Sequence, residues 1–229
     1  MKPFGRISLS LVLCAAAWGQ NFPQSVKATG NGVVQVAPDQ AKIDIGVVTQ
    51  APTAQAAASQ NAVQLQAAMD KLKAAIGPKG EIRTISYAVN PVYQYSKTGG
   101  KPTIDGYSAN NTVEVTVNDL SIVGKVIDAA TSGGANEIQR LQFSLKDEGP
   151  ARGRALRQAA LEARANAEAM AAALGLKLGK VILMEQSNPS VIRPMMLPMN
   201  AARVGSVPTP IEGGSVEVQA TVTLTITLE

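Results

Sequence analysis

The side chains able to do chemistry in this chain are few. Its 229 residues contain no histidine and a single cysteine, Cys14. That removes Ser-His-Asp and Cys-His catalysis, histidine general bases, and the usual zinc, copper(II) and haem ligands. Carboxylates, lysines, tyrosines and methionines remain. A glycosidase needs two carboxyl groups about 5 to 10 Å apart in a cleft, and Asp39 with Asp44, or Asp105 with Glu114, are the conceivable pairs. Neither pair sits in a recognisable motif. Asp39 follows Pro38 as a turn residue, and Asp119 reads as a helix cap. Met195, Met196 and Met199, with Met184 upstream, form a soft-ligand cluster able to hold copper(I) in an oxidising compartment. The same methionines also read as an adaptable contact or as plain loop composition. All four tyrosines, Tyr87, Tyr93, Tyr95 and Tyr107, fall in one hairpin region. There, cross-strand packing competes with an apolar face for self-association or ligand contact. No catalytic residue, cofactor or metal ligand is assigned on these grounds.

These residues must be positioned by elements of two periods. Residues 112–118 alternate, with Val113, Val115 and Val117 on one side and Thr112, Glu114 and Thr116 on the other, as in a half-buried strand. Asn118 or Asp119 then caps a helix carrying Ile122, Val123, Val126, Ile127 and Ala130, and Gly133-Gly134 ends it. A strand over 138–145 follows. Upstream, short strands are expected at 33–36 and 41–49 around an Ala37-Pro38-Asp39-Gln40 turn. Thr53 opens a helix to Ile76 that Gly77-Pro78 stops. Residues 82–95 form the first arm of a long hairpin, and Pro91, which has no N–H to donate, places that arm at a sheet edge or at a bulge. Gly30-Asn31-Gly32 lacks the third glycine and the following helix of a phosphate loop.

Beyond this, Gly149-Pro150 starts a third helix to Leu174, with Leu156, Ala160, Ala163, Ala167, Met170 and Leu174 as its apolar series and Arg152, Arg154, Arg157, Arg164, Glu162 and Glu168 on the rest. The arginines could bind an anionic surface, but their mixing with glutamates at helical spacing favours a solvated face. A strand near 180–184 and an irregular Pro/Met-rich loop at 188–213 precede the last strand. In that strand Val216, Val218, Ala220, Val222, Leu224, Ile226 and Leu228 alternate with mostly threonine. The expected fold is α+β: an antiparallel or mixed sheet in ferredoxin-like βαββαβ order, packed by three helices, plus a C-terminal strand.

The first residues have the layout of a secretory signal peptide: Lys2 and Arg6, the apolar run 7–17, and Ala17-Trp18-Gly19 before Gln20. Cleavage there, over residues 1–19, leaves one domain over 20–229 without cysteine, which must be held by its core alone. Lipidation of Cys14 is the competing reading, although Leu13 is bulkier than the small residue that normally precedes a lipidated cysteine. No later segment is apolar for the length of a spanning helix. Dispersed charge without aromatic interleaving gives no reason to expect nucleic acid as a partner.

Gly106, Tyr107, Ala109 and Asn111, the Val-x-Val-x-Val run that ends at Asp119-Leu120, and Gly134-Ala135-Asn136 resemble the SIMPL-domain family of bacterial envelope proteins, which includes periplasmic immunogenic antigens. The likeness extends from Val26 to Leu183 and resumes in the last strand. It implies a periplasmic protein that assembles into ring-like or channel-like homo-oligomers and is linked to envelope or oxidative stress, with no established biochemical activity. The expectation is therefore a non-enzymatic, self-associating protein that does not span the membrane, with peripheral envelope association open to it. The alternative is a binding module for a small molecule, copper(I) or an envelope polymer, built from the tyrosine hairpin and the 188–213 loop.

Overall fold

Apolar and polar residues alternate longest in two parts of the chain, and each part becomes the middle of a separate sheet. The computed structural model describes residues 24–95, 101–187, 193–195 and 213–229. The expected leader with Cys14, and most of the 188–213 loop, lie outside the described residues. In chain order the elements are β1 (Ser25–Val36), β2 (Gln40–Ala51), α1 (Ala54–Ile76), β3 (Glu81–Gln94), β4 (Thr103–Val117), α2 (Val123–Ser132), β5 (Glu137–Ser144), α3 (Gly149–Ala173), β6 (Leu178–Ser187), β7 (Arg193–Met195) and β8 (Ser215–Leu228). The α+β class is as expected. The single expected sheet is instead two antiparallel ones, in the orders β1-β8-β6, with β7 also on β8, and β3-β4-β2-β5.

The second of these sheets is made from one continuous stretch. Ile43, Ile45 and Val47 of β2 and Val113, Val115 and Val117 of β4 point to the same side, where Ala68, Leu72 and Ile76 of α1 and Val123, Val126 and Ala130 of α2 close over them. Thr53 caps α1 by accepting the Ala56 N–H, and Lys71 donates to the Ser132 carbonyl at the end of α2. The turn before α2 is a short 3-10 segment, and Asp119 caps it by accepting the Ser121 N–H at 3.0 Å and the Ser121 hydroxyl at 2.6 Å. These two hydrogen bonds hold the Asp119 carboxyl below its ordinary pKa, the side-chain bond first. The hairpin β3–β4 forms as expected, and β3 is the outer strand of its sheet, which explains how Pro91 is accommodated.

The first sheet joins the two ends of the described chain. β1 runs antiparallel to β8 from Ser25 opposite Thr227 to Val36 opposite Val216. The two short strands expected near residues 33 and 41 are thus two twelve-residue strands that belong to different sheets. Gly30 and Gly32, which fall before the first expected strand at 33–36, sit in mid-strand with α3 lying directly on them. A β-carbon on Gly32 would overlap the Ala155 carbonyl, and one on Gly30 would overlap the Ala159 carbonyl. The helix surface facing them is correspondingly stripped to Ala151, Ala155, Ala159, Ala163, Ala167 and Ala171. The apolar series expected on α3 therefore holds at Ala163 and Ala167 and is off by one position at Leu156, Ala160 and Met170. Leu174 and Met170 are exposed, because a helix this close to a sheet has no room for them.

Candidate functional site

Strand register assembles a row of four charged residues that the sequence keeps far apart. Asp44 lies opposite Glu114 across β2 and β4, Arg83 lies opposite Glu114 across β3, and Arg140 lies opposite Asp44 across β5. Since Ile43 and Ile45 face the helices, period two sends Asp44 to the other face, and Glu114 goes with it. Arg83 Nε and Nη2 meet Glu114 Oε1 at 2.9 and 2.8 Å. Arg140 Nε and Nη2 meet Asp44 Oδ2 and Oδ1 at 2.9 and 3.3 Å, and Nη2 also reaches Glu114 Oε2 at 3.5 Å. The carboxylates are nearly covered, at 5% exposure for Glu114 and 9% for Asp44, while both guanidinium groups stay half in solvent.

Two carboxylates side by side on neighbouring strands repel each other, and the arginines on either flank offset this. The arrangement raises the pKa of Arg140, chiefly through its hydrogen bond to Asp44, then through the Asp44 and Glu114 charges. Chemically the row is a closed ladder. Its carboxylate oxygens are turned to fixed guanidinium donors, whereas glycoside hydrolysis needs an acid and a base facing a cleft. The acid pairs drawn from the sequence do not form. Asp39 accepts the Lys146 N–H at 2.7 Å, as a turn residue does. Asp105 and Glu114 share β4, and at about 3.3 Å per residue they stand roughly 30 Å apart. The pair that does form, Asp44 with Glu114, was signalled by each acid falling on the polar side of an alternating strand, but naming it requires the register.

Asn61 and several of the family-like residues tie backbone together. Asn61, buried on α1, donates through Nδ2 to the Val47 and Ala109 carbonyls at 2.7 and 3.0 Å, bridging helix to both central strands. Asn136 pairs with Val48 twice, donating to its carbonyl at 2.7 Å and accepting its N–H at 2.9 Å. Its side chain thus extends β5 by one ladder step. Tyr107 packs half-buried on the cluster of Ala51, Ala57 and Ala109, and a β-carbon on Gly106 would crowd the Ala51 carbonyl at 3.0 Å. Asn61 Oδ1 and Asn111 Oδ1 are buried without a hydrogen-bond partner among the described residues. The sequence carried no sign of Asn61, which falls among alanines and glutamines on the helix.

The four tyrosines do not form one cluster. Tyr107 is in the packing just described, while Tyr87, Tyr93 and Tyr95 are exposed, Tyr95 at 74%, together with Ile85 and Ile104 on the same hairpin. A shallow depression of about 200 Å³ beside Tyr107 is lined by Gln50, Ala51, Pro52, Val92, Asp105 and Gly106. The apolar face of the last strand is covered: β8 is central in its sheet, and its apolar residues are buried with the α3 alanines in two clusters. The edge strand β6 is different, leaving Val181, Ile182, Leu183 and Met184 about half exposed. Met195 contributes backbone to β7, opposite Ser215, and Met196 and Met199 lie outside the described residues. Among the described residues no three His, Cys, Asp or Glu side chains gather as metal ligands, and no helix is long and apolar enough to cross a membrane.

Residues 26–226 match the model of the SIMPL family, described as a protein of unknown function (DUF541). The 26 kDa periplasmic immunogenic protein of Brucella melitensis is 30% identical over 181 residues, covering 77% of this chain and 71% of the relative. The uncharacterized protein YggE of Edwardsiella ictaluri is 31% identical over 157 residues, covering 68% of this chain and 65% of the relative. YggE of Escherichia coli K12 is 27% identical over 168 residues, covering 72% and 68%.

Proposed function

This chain belongs to the SIMPL family, and we propose that it is a non-enzymatic periplasmic protein that works as a self-associated assembly. The observation that carries this reading is the hairpin edge. β3 is a fourteen-residue outer strand, and Ile85, Tyr87, Tyr93, Tyr95 and Ile104 are exposed beside it. Long edge strands with exposed apolar side chains are templates for pairing with another chain, and tyrosine suits interfaces because its ring buries area at low entropy cost. The closed state of the carboxylate row supports a structural role for the acids. Export is supported by the leader-like residues 1–19 and by the printed name of the Brucella relative.

Light scattering on residues 20–229 at several concentrations in detergent-free buffer tests the reading. A concentration-stable assembly that Tyr87→Lys with Tyr93→Lys dissociates is expected. A monomer at every concentration would sink it. The link to envelope or oxidative stress that the family resemblance implies is tested separately, by peroxide and detergent sensitivity of cells lacking the protein.

A second reading, a binding module, has one observation in its favour, the depression beside Tyr107. It predicts that copper(I) or a soluble envelope polysaccharide fragment raises the melting temperature, and that deleting residues 190–211 abolishes the rise while leaving assembly intact.

A further inference from the structure

We propose that the outer face of α3 docks on an anionic lipid leaflet. At about 100° per residue, the buried alanines Ala155, Ala159 and Ala163 fix which side of the helix meets the sheet, and Arg154, Arg157, Leu161 and Arg164 fall on the opposite side. All four are exposed, Leu161 at 65%. Arg154, Arg157 and Arg164 have no ion-pair partner among the described residues. Of the helix's two glutamates, Glu162 turns towards β1 and accepts the Asn31 N–H at 3.0 Å, leaving Glu168 as the first carboxylate beyond the basic stretch. Around Gly153 the face is open, with nothing within 4 Å of where its β-carbon would lie.

Three free guanidinium groups over about 15 Å of helix form a surface complementary to a plane of phosphates, to which arginine donates in bidentate fashion. Leu161 decides between polyanions. An isobutyl group in the centre of the basic face has nothing to gain from a nucleic acid backbone, but it can enter the boundary between headgroups and acyl chains. The rest of α3 is held by the sheet, so the face is presented rigidly and no folding accompanies docking. The inference goes beyond self-association and does not depend on it, because the pairing proposed above uses the β3 edge, whereas α3 packs on the other sheet.

The test is flotation of residues 20–229, which include every described residue, with vesicles of phosphatidylcholine alone or with phosphatidylglycerol. Binding is expected only with phosphatidylglycerol, weakening as salt rises. Changing Arg154, Arg157 and Arg164 together to Gln should lower it about a hundred-fold, at roughly 1 kcal/mol per arginine. Changing them to Lys should retain most of it, with the thermal transition unmoved in both variants. Leu161→Ala should reduce binding about three- to ten-fold. Equal binding by the Gln variant, or no binding to either vesicle, overturns the proposal. Binding to heparin that outcompetes the vesicles, with Leu161→Ala without effect, also overturns it in favour of a generic polyanion surface.

Discussion

At the scale of single residues, several side chains matter through what they leave no room for or what they turn to the backbone. Adding one methyl group at Gly32 puts a β-carbon into the Ala155 carbonyl, so Gly32→Ala has to push α3 off β1. It should cost about 2 to 4 kcal/mol, read as a lower urea midpoint. Asn61 offers a sharper comparison. Its Nδ2 serves two carbonyls, so Asn61→Ala removes two hydrogen bonds, whereas Asn61→Asp turns a buried acceptor towards acceptors. The aspartate variant should be the less stable of the two by about 2 kcal/mol or more, and its deficit should shrink on acidification as the carboxyl regains a proton. Asp119 has the opposite pH sign. Its carboxyl pKa is lowered in the folded state from 3.8, so its capping contribution is complete above that value and is lost as pH falls through the folded pKa. Wild type should exceed Asp119→Ala in stability at neutral pH, and the gap should close in strong acid.

At the scale of elements, the charged row depends on strands keeping register, and this is where the sequence stopped being sufficient. Period two placed Glu114 on a polar face, and the capping, glycine and proline signals located α1, α2 and the β3–β4 hairpin closely. Registers come from pairing geometry that no single strand contains, including the shifts between Thr84 and Ser86 and between Val92 and Tyr93. The sequence also misled where packing overrode local preference. Gly30-Asn31-Gly32 falls outside the first expected strand, yet it is strand, because α3 needs bare backbone beneath its alanines. Met170 on α3 and Leu174 at its end are apolar, yet they are exposed for the same reason. If the row acts as a clamp across the four strands, Arg140→Gln should lower the urea midpoint, because it leaves Asp44 without its bidentate partner. Replacing Asp44 by Asn in the Arg140→Gln background should recover part of that loss. If the double variant is no more stable than Arg140→Gln alone, mutual repulsion of the carboxylates is not what the arginine offsets.

At the scale of the whole molecule, the two sheets differ in how far apart their strands lie in the chain. Residues 40–144 supply every strand of one sheet and both of its helices, α1 and α2. The other sheet has β8 at its centre and β1 beside it, from opposite ends of the described chain, with Ser25 opposite Thr227. Closing that loop carries an entropy cost that grows with its length and that only long-range contacts repay. The contiguous sheet should therefore form first, and the closing sheet should wait for β8 to enter between β1 and β6 and for α3 to settle on the two glycines. Pulse-labelling hydrogen exchange during refolding is the direct measurement: the Ile43, Ile45 and Val115 amides should gain protection before those of Val222 and Leu224. Gly32→Ala, which disturbs only the closing sheet, should delay the second group without delaying the first. Simultaneous protection of both groups would instead mean that the sheets nucleate together, with the chain ends already near each other in the collapsed state. The order also bears on assembly, since the β3 edge belongs to the sheet that forms early. A refolding chain would expose its tyrosine hairpin before its ends have met, so the yield of soluble, natively folded protein should fall as chain concentration rises. Tyr87→Lys with Tyr93→Lys should remove that dependence.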